Sequence, residues 1–240
     1  MNDASIGIFF ALFGGLVACV GVPLLFVFVF IKLRNAQQEV DQTAAAVRSG
    51  AVADLLPWGP ASLSELTRQW VGASTYTSGV LGRGDRASGR VPSGRKPAGW
   101  LLAFTMDARH DGTEGLVQAT TSAHRLELRI STGVCQAVLN GVALGTFRLG
   151  QAELFAADAT PLGTYRREPP VARLGLRGRE VATLDTRTTS DANRAASPTS
   201  LVTHLRPMPS AEDEAWALIA AVLELAWFGP RLAHQQLRRH

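Results

Sequence analysis

The sequence predicts a single N-terminal transmembrane helix followed by a mainly-β domain, an antiparallel barrel or curved sheet, with a buried C-terminal helix. Three observations carry this expectation. No charged residue interrupts residues 6–31. From Trp100 onward, short apolar stretches alternate with turn residues as antiparallel strands do. Near the C-terminus, residues 215–228 are apolar nearly all round, with Glu224 the one charge.

The uncharged run comes first. A spanning helix needs about 20 mostly apolar residues, so residues 6–31 suffice with room for tilt. Pro23 is tolerated inside such a helix. Leu16-Val17-Ala18-Cys19 also has the form of a bacterial lipobox. No Lys or Arg precedes it, however, and the chain stays apolar after Cys19, which favours a permanent anchor over a cleaved, lipidated one. Asp3 lies before the run and Lys32, Arg34 and Arg48 after it. Positive charge stays on the cytoplasmic side, so in a bacterial inner membrane the N-terminus faces out and the bulk of the chain in. Gly7, Ala11, Gly14, Ala18 and Gly21 recur at helical spacing and predict a packing face for other transmembrane helices. Residues 1–34 are thus the anchor.

Residues 35–70 read as a helical stalk and connector. Helix formers continue without Gly or Pro until Gly50, which suits a helix ending at Ser49. Ser62-Leu63-Ser64-Glu65 has the form of a capping box and predicts a short helix reaching about Trp70. Residues 71–99 read as a basic Gly/Arg-rich loop carrying Arg83, Arg86, Arg90, Arg95 and Lys96 against Asp85. Its glycines match neither the P-loop nor the dinucleotide fingerprint. No aromatic residue is interleaved with the charge from Ser78 to Gly99, which argues against nucleic acid. What remains is a solvated loop, or a contact with anionic lipid headgroups or an acidic partner surface.

The β domain occupies residues 100–230, with a polar tail at 231–240. Strands are predicted at 101–106, 115–121, 124–130, 133–139, 142–149, 151–157, 161–167, 171–176, 180–186 and 201–205. Asn140-Gly141 is a strong hairpin-turn signal. Leu144-Gly145-Thr146-Phe147-Arg148 recurs as Leu162-Gly163-Thr164-Tyr165-Arg166, and more distantly as Val181-Ala182-Thr183-Leu184-Asp185. One hairpin repeated around a sheet explains that echo, with glycine suited to a bend or a close backbone approach. Ser210 then caps a helix that Gly229-Pro230 stops. It is too short to span a bilayer and apolar on every face, so it belongs inside protein, with Trp216, Leu218, Ile219, Val222, Leu223 and Trp227 buried.

Hairpins of the form turn, then Leu-Gly-Thr-aromatic-Arg, closed by an apolar C-terminal helix, resemble the tubby-like fold of tubby proteins, phospholipid scramblases and LURP-one-related proteins. The resemblance covers roughly residues 100–228 and implies a β-barrel around a central helix. Scramblase activity is not implied, because no acidic calcium-ligand cluster is found.

Composition narrows the function classes. Hydrophobic residues at 46% and charged ones at 18% exclude wholesale disorder. Two cysteines exclude a disulfide scaffold. The five histidines lack metal spacing, and no Gly-x-Ser-x-Gly elbow occurs. No catalytic residue, cofactor or metal is therefore expected. The expected role is a non-catalytic accessory subunit of a larger membrane complex, respiratory or photosynthetic, with a membrane-anchored lipid-binding module as the alternative. An enzyme assembled from residues distant in sequence is the third reading.

Overall fold

The computed structural model describes residues 22–49, 52–79, 82–94, 99–109, 111–187, 199–208 and 210–229. Helix α1 covers Val22–Ser49 and ends where the sequence predicts. The chain divides into two compact units, Met1–Gln38 and Glu39–His240. In the first, Leu24, Leu25, Val27, Phe28, Phe30 and Ile31 are all exposed, between 49% and 66%. Among the described residues no helix is long and apolar enough to cross a membrane. Most of the predicted span, with Gly7, Ala11, Gly14, Ala18 and Gly21, lies outside the described residues.

The second unit is mainly antiparallel sheet. Its strands are β1 (Val71–Gly79), β2 (Gly82–Pro92), β3 (Trp100–Arg109), β4 (Glu114–Thr120), β5 (Arg125–Ser131) and β6 (Val134–Leu139). They continue as β7 (Val142–Arg148), β8 (Glu153–Ala156), β9 (Pro161–Glu168), β10 (Val171–Leu176), β11 (Arg179–Asp185) and β12 (Val202–Leu205). All twelve form one sheet in sequence order, each paired with its chain neighbours. Every strand predicted between 101 and 205 is present. Asn140 and Gly141 both have positive φ, 51° and 83°, as a type I′ turn requires.

Residues 71–79 and 82–92 depart from the expectation of a loop, because they form β1 and β2, paired antiparallel from Val71 opposite Arg90 to Gly79 opposite Gly82. Glycine suggests flexibility in the sequence, but here it permits close approach. A Cβ at Gly89 would lie 2.4 Å from the Trp70 ring, and one at Gly72 only 2.1 Å from the Ser88 carbonyl. Along β2, Asp85 and Val91 and the run Ala87, Ser88 and Gly89 are buried while Arg86 and Arg90 are half-buried, so one face of the strand is covered throughout and the other is covered at Ser88 as well.

The short helix α2 also differs, covering only Ser62–Glu65. It stops because the backbone that follows is claimed by the sheet. Leu201 N donates to Leu66 O at 2.8 Å, Arg68 N to Thr199 O at 3.0 Å and Gly94 N to Glu65 O at 2.9 Å. Residues 66–68 therefore form a seam that ties the end of β2 to the approach to β12.

Helix α3 covers Ala211–Val222 and runs on as a π-helical turn, Leu223–Phe228. The Ser210 hydroxyl accepts from Asp213 N at 3.1 Å, the cap read from the sequence. Residues 215–227 are all buried, including the six predicted to be so. Trp216 meets Phe147, Leu154, Tyr165 and Leu174, from β7 to β10. Trp227 lies against β4, where a Cβ at Gly115 would come within 2.4 Å of its ring. One helix touches strands this far apart only if the sheet curls round it. The repeated glycines serve that curl. Gly145 has φ +147°, and a Cβ at Gly163 would lie 2.0 Å from the Gly175 carbonyl, with register shifts nearby at Ala137/Val138 and Leu174/Gly175.

Candidate functional site at the seam of the sheet

The densest chemistry lies where the seam, the ends of β9 and β11, and the π-helical turn meet. Strand alternation turns Tyr165 and Arg167 of β9 to the same face, and Tyr165 lies in the core. Arg68 reaches in from the seam and is 1% exposed, while Glu224 projects from the helix and is 0% exposed. Glu224 Oε1 accepts from the Tyr165 hydroxyl at 2.6 Å and from Arg167 Nε at 2.9 Å. The Arg167 guanidinium also stacks 4.8 Å over Phe228 and donates from Nη2 to Thr186 O at 3.4 Å. Arg68 Nη1 donates to the Asp185 carbonyl. The Asp185 carboxylate is held in turn by Arg187, through its backbone N at 2.9 Å and its guanidinium.

Electrostatics follow from this burial. Desolvation pushes the Glu224 carboxyl above the usual carboxylate range, against the pull of Arg167 and the Tyr165 hydrogen bond. Burial, reinforced by Glu224, drives the Tyr165 hydroxyl well up. Burial lowers Arg68, against the attraction of Glu224 and Asp185. Burial also pushes Asp185 up, but the hydrogen bonds and charge of Arg187 outweigh it and hold the carboxyl low. With Glu224 fully enclosed, the chemical work of this network is to fix the helix to the seam. A π-turn widens the helix at this point, as such turns do at functional positions in other helices.

A pH dependence follows. Glu224 is raised on folding, so its contribution is fully present below the unfolded carboxyl value and is lost as pH rises through the folded one. Asp185 is lowered, so its contribution runs the other way and is lost on acidification. Urea unfolding between pH 4 and 8 should show wild type losing stability relative to Glu224→Gln as pH rises. A constant difference across that range would refute the assignment.

A second clamp sits at the opposite end of the helix. Asp213 is 0% exposed and takes Arg177 from the β10–β11 turn and Arg179, at 3.3 Å, from the start of β11. Elsewhere burial pushes the Cys135 thiol up to about 12, so it carries no thiolate at neutral pH. Among the described residues no group of His, Cys, Asp and Glu is arranged to hold a metal ion.

The residues singled out from the sequence fall differently. Arg86 forms ion pairs with Asp41 at 3.0 Å and Asp107 at 3.5 Å. Arg90 lies 6.0 Å over the Trp100 ring. Arg83 is in β2, opposite Ser78, with its side chain outside the described residues. Arg95 and Lys96 lie outside the described residues altogether. Sequence reasoning missed Arg68, Tyr165 and Arg167. The signal available was Glu224, a lone charge on an otherwise apolar helix, which requires a buried partner. Compared with protein-family models, curated proteins and solved structures, the chain matches none.

Proposed function

We infer that this protein is a non-catalytic, single-pass accessory subunit of a membrane protein complex, anchored in a bacterial inner membrane with its β domain in the cytoplasm. The observation that carries the reading is the apolar surface of α1. Leu24, Leu25, Val27, Phe28, Phe30 and Ile31 are exposed together, at the end of an uncharged stretch that begins at Ile6. A contiguous surface of that kind needs lipid or protein to cover it. Gly7, Ala11, Gly14, Ala18 and Gly21 then supply the face on which partner helices pack. The meander of strands and its enclosed helix support a tubby-like architecture for the cytoplasmic part.

Alkaline carbonate extraction tests the anchor. The full chain is expected to stay with the membrane pellet, and a chain lacking residues 1–34 to leave it; release of the full chain would end this reading. Gly14→Leu with Ala18→Leu tests the packing face. Membrane levels should hold, because Leu is at least as apolar as Gly in a spanning helix, while partners that co-purify in mild detergent should be lost. Unchanged partners, together with salt-sensitive binding of residues 35–240 to phosphatidylglycerol vesicles, would favour the lipid-binding alternative instead. Arg86 already has two acidic partners, which weakens that alternative.

A further inference from the structure

Four side-chain atoms around the seam are enclosed and have no hydrogen-bond partner among the described residues: Arg68 Nε, Glu224 Oε2, Thr186 Oγ1 and Thr199 Oγ1. They belong to one neighbourhood. Arg68 donates through Nη1 to the carbonyl of Asp185, next to Thr186, and through its backbone N to Thr199 O at 3.0 Å. Arg167 joins the other two, donating to Glu224 Oε1 at 2.9 Å and to Thr186 O at 3.4 Å. Native proteins rarely leave buried polar atoms unpaired, and each exception asks for an explanation.

The kinds of atom decide what fits. Arg68 Nε only donates, an ionised Glu224 Oε2 only accepts, and a threonine hydroxyl does both. An anion would answer Arg68 but meet the Glu224 charge. A cation would answer Glu224 but meet two guanidinium groups. A neutral hydroxyl accepts from the first and donates to the second. The geometry points to a binding site for a small hydroxyl-bearing guest, enclosed by Arg68, Thr186 and Glu224 at the seam of the sheet. Its sources are an ordered water or the hydroxyl of a small organic molecule. A buried water typically makes about three hydrogen bonds to otherwise unpaired groups, and Arg68 Nε, Thr186 Oγ1 and Glu224 Oε2 are three such atoms.

Thr186→Val in the full-length chain gives opposite signs for an occupied and an empty site. Valine keeps the shape and removes the hydroxyl. If the guest is bound, it loses a partner and the unfolding midpoint falls by about 2–4 °C. If the site is empty, the change removes an unpaired buried atom, and the midpoint stays or rises; that result overturns the proposal. A crystal structure of the full-length wild-type protein supplies the second reading. Density within about 3 Å of both Arg68 Nε and Glu224 Oε2 is expected. A single spherical peak identifies water. Extended density, matched by an organic alcohol released on denaturation and seen by mass spectrometry, identifies a small ligand. A dry site overturns the proposal whatever the variant does.

Discussion

Replacing Arg68 with methionine should destabilise the β domain by roughly 3–5 kcal/mol, read from urea unfolding of the full chain in detergent. Arg68 is 1% exposed and sits between two groups that need it. Its guanidinium donates to the Asp185 carbonyl, and its charge opposes that of Glu224. Methionine fills a similar volume but leaves the Asp185 carbonyl short of a donor and removes one of the two positive charges that act on Glu224, leaving its ion pair with Arg167 at 2.9 Å. Breaking a buried pair from one side is far costlier than removing both partners together. Arg68→Met combined with Glu224→Gln should therefore cost clearly less than the sum of the two single changes. Additive effects would mean that Arg68 and Glu224 are not coupled, and the seam network would have to be abandoned.

The contrast between the sheet and this network shows what a sequence can display. Strands between 101 and 205 announce themselves locally. Apolar and polar residues alternate in Leu126, Glu127, Leu128, Arg129 and Ile130, and Asn140-Gly141 marks the turn. Pattern and structure agree because each signal lies within one element. The β1–β2 hairpin misleads because glycine has two meanings. At Gly72 and Gly89 it makes room for a neighbouring backbone or ring, and composition alone reads that as a loop. The seam is harder still. Arg68, Tyr165 and Glu224 are brought together from distant parts of the chain, and a pairing of that range leaves no periodicity to find. Only Glu224 stood out, because a charge on an apolar helix contradicts its surroundings.

Trp216→Ala should cost about 3–5 kcal/mol, as truncation of a large core aromatic does. Trp216 is 0% exposed and packs among Phe147, Leu154, Tyr165, Leu174, Ile219, Ala220 and Leu223. The void left among these side chains is about 10 Å³, room for one water at most, so the site is filled closely before the change. Its walls are strands held on both sides by ladder hydrogen bonds, which resist collapse into a new cavity. The loss should thus fall in the upper part of the range. Trp216→Phe separates packing from polarity. The indole Nε1 has no hydrogen-bond partner among the described residues, so phenylalanine gives up volume without breaking a hydrogen bond. Its cost should be well under half that of alanine. A Trp216→Phe cost well above half that of alanine would show that the indole N–H is bonded after all. An unchanged unfolding curve for Trp216→Ala would show that the sheet does not enclose the helix. The Glu224 network, which depends on the same enclosure, would then lose its basis as well.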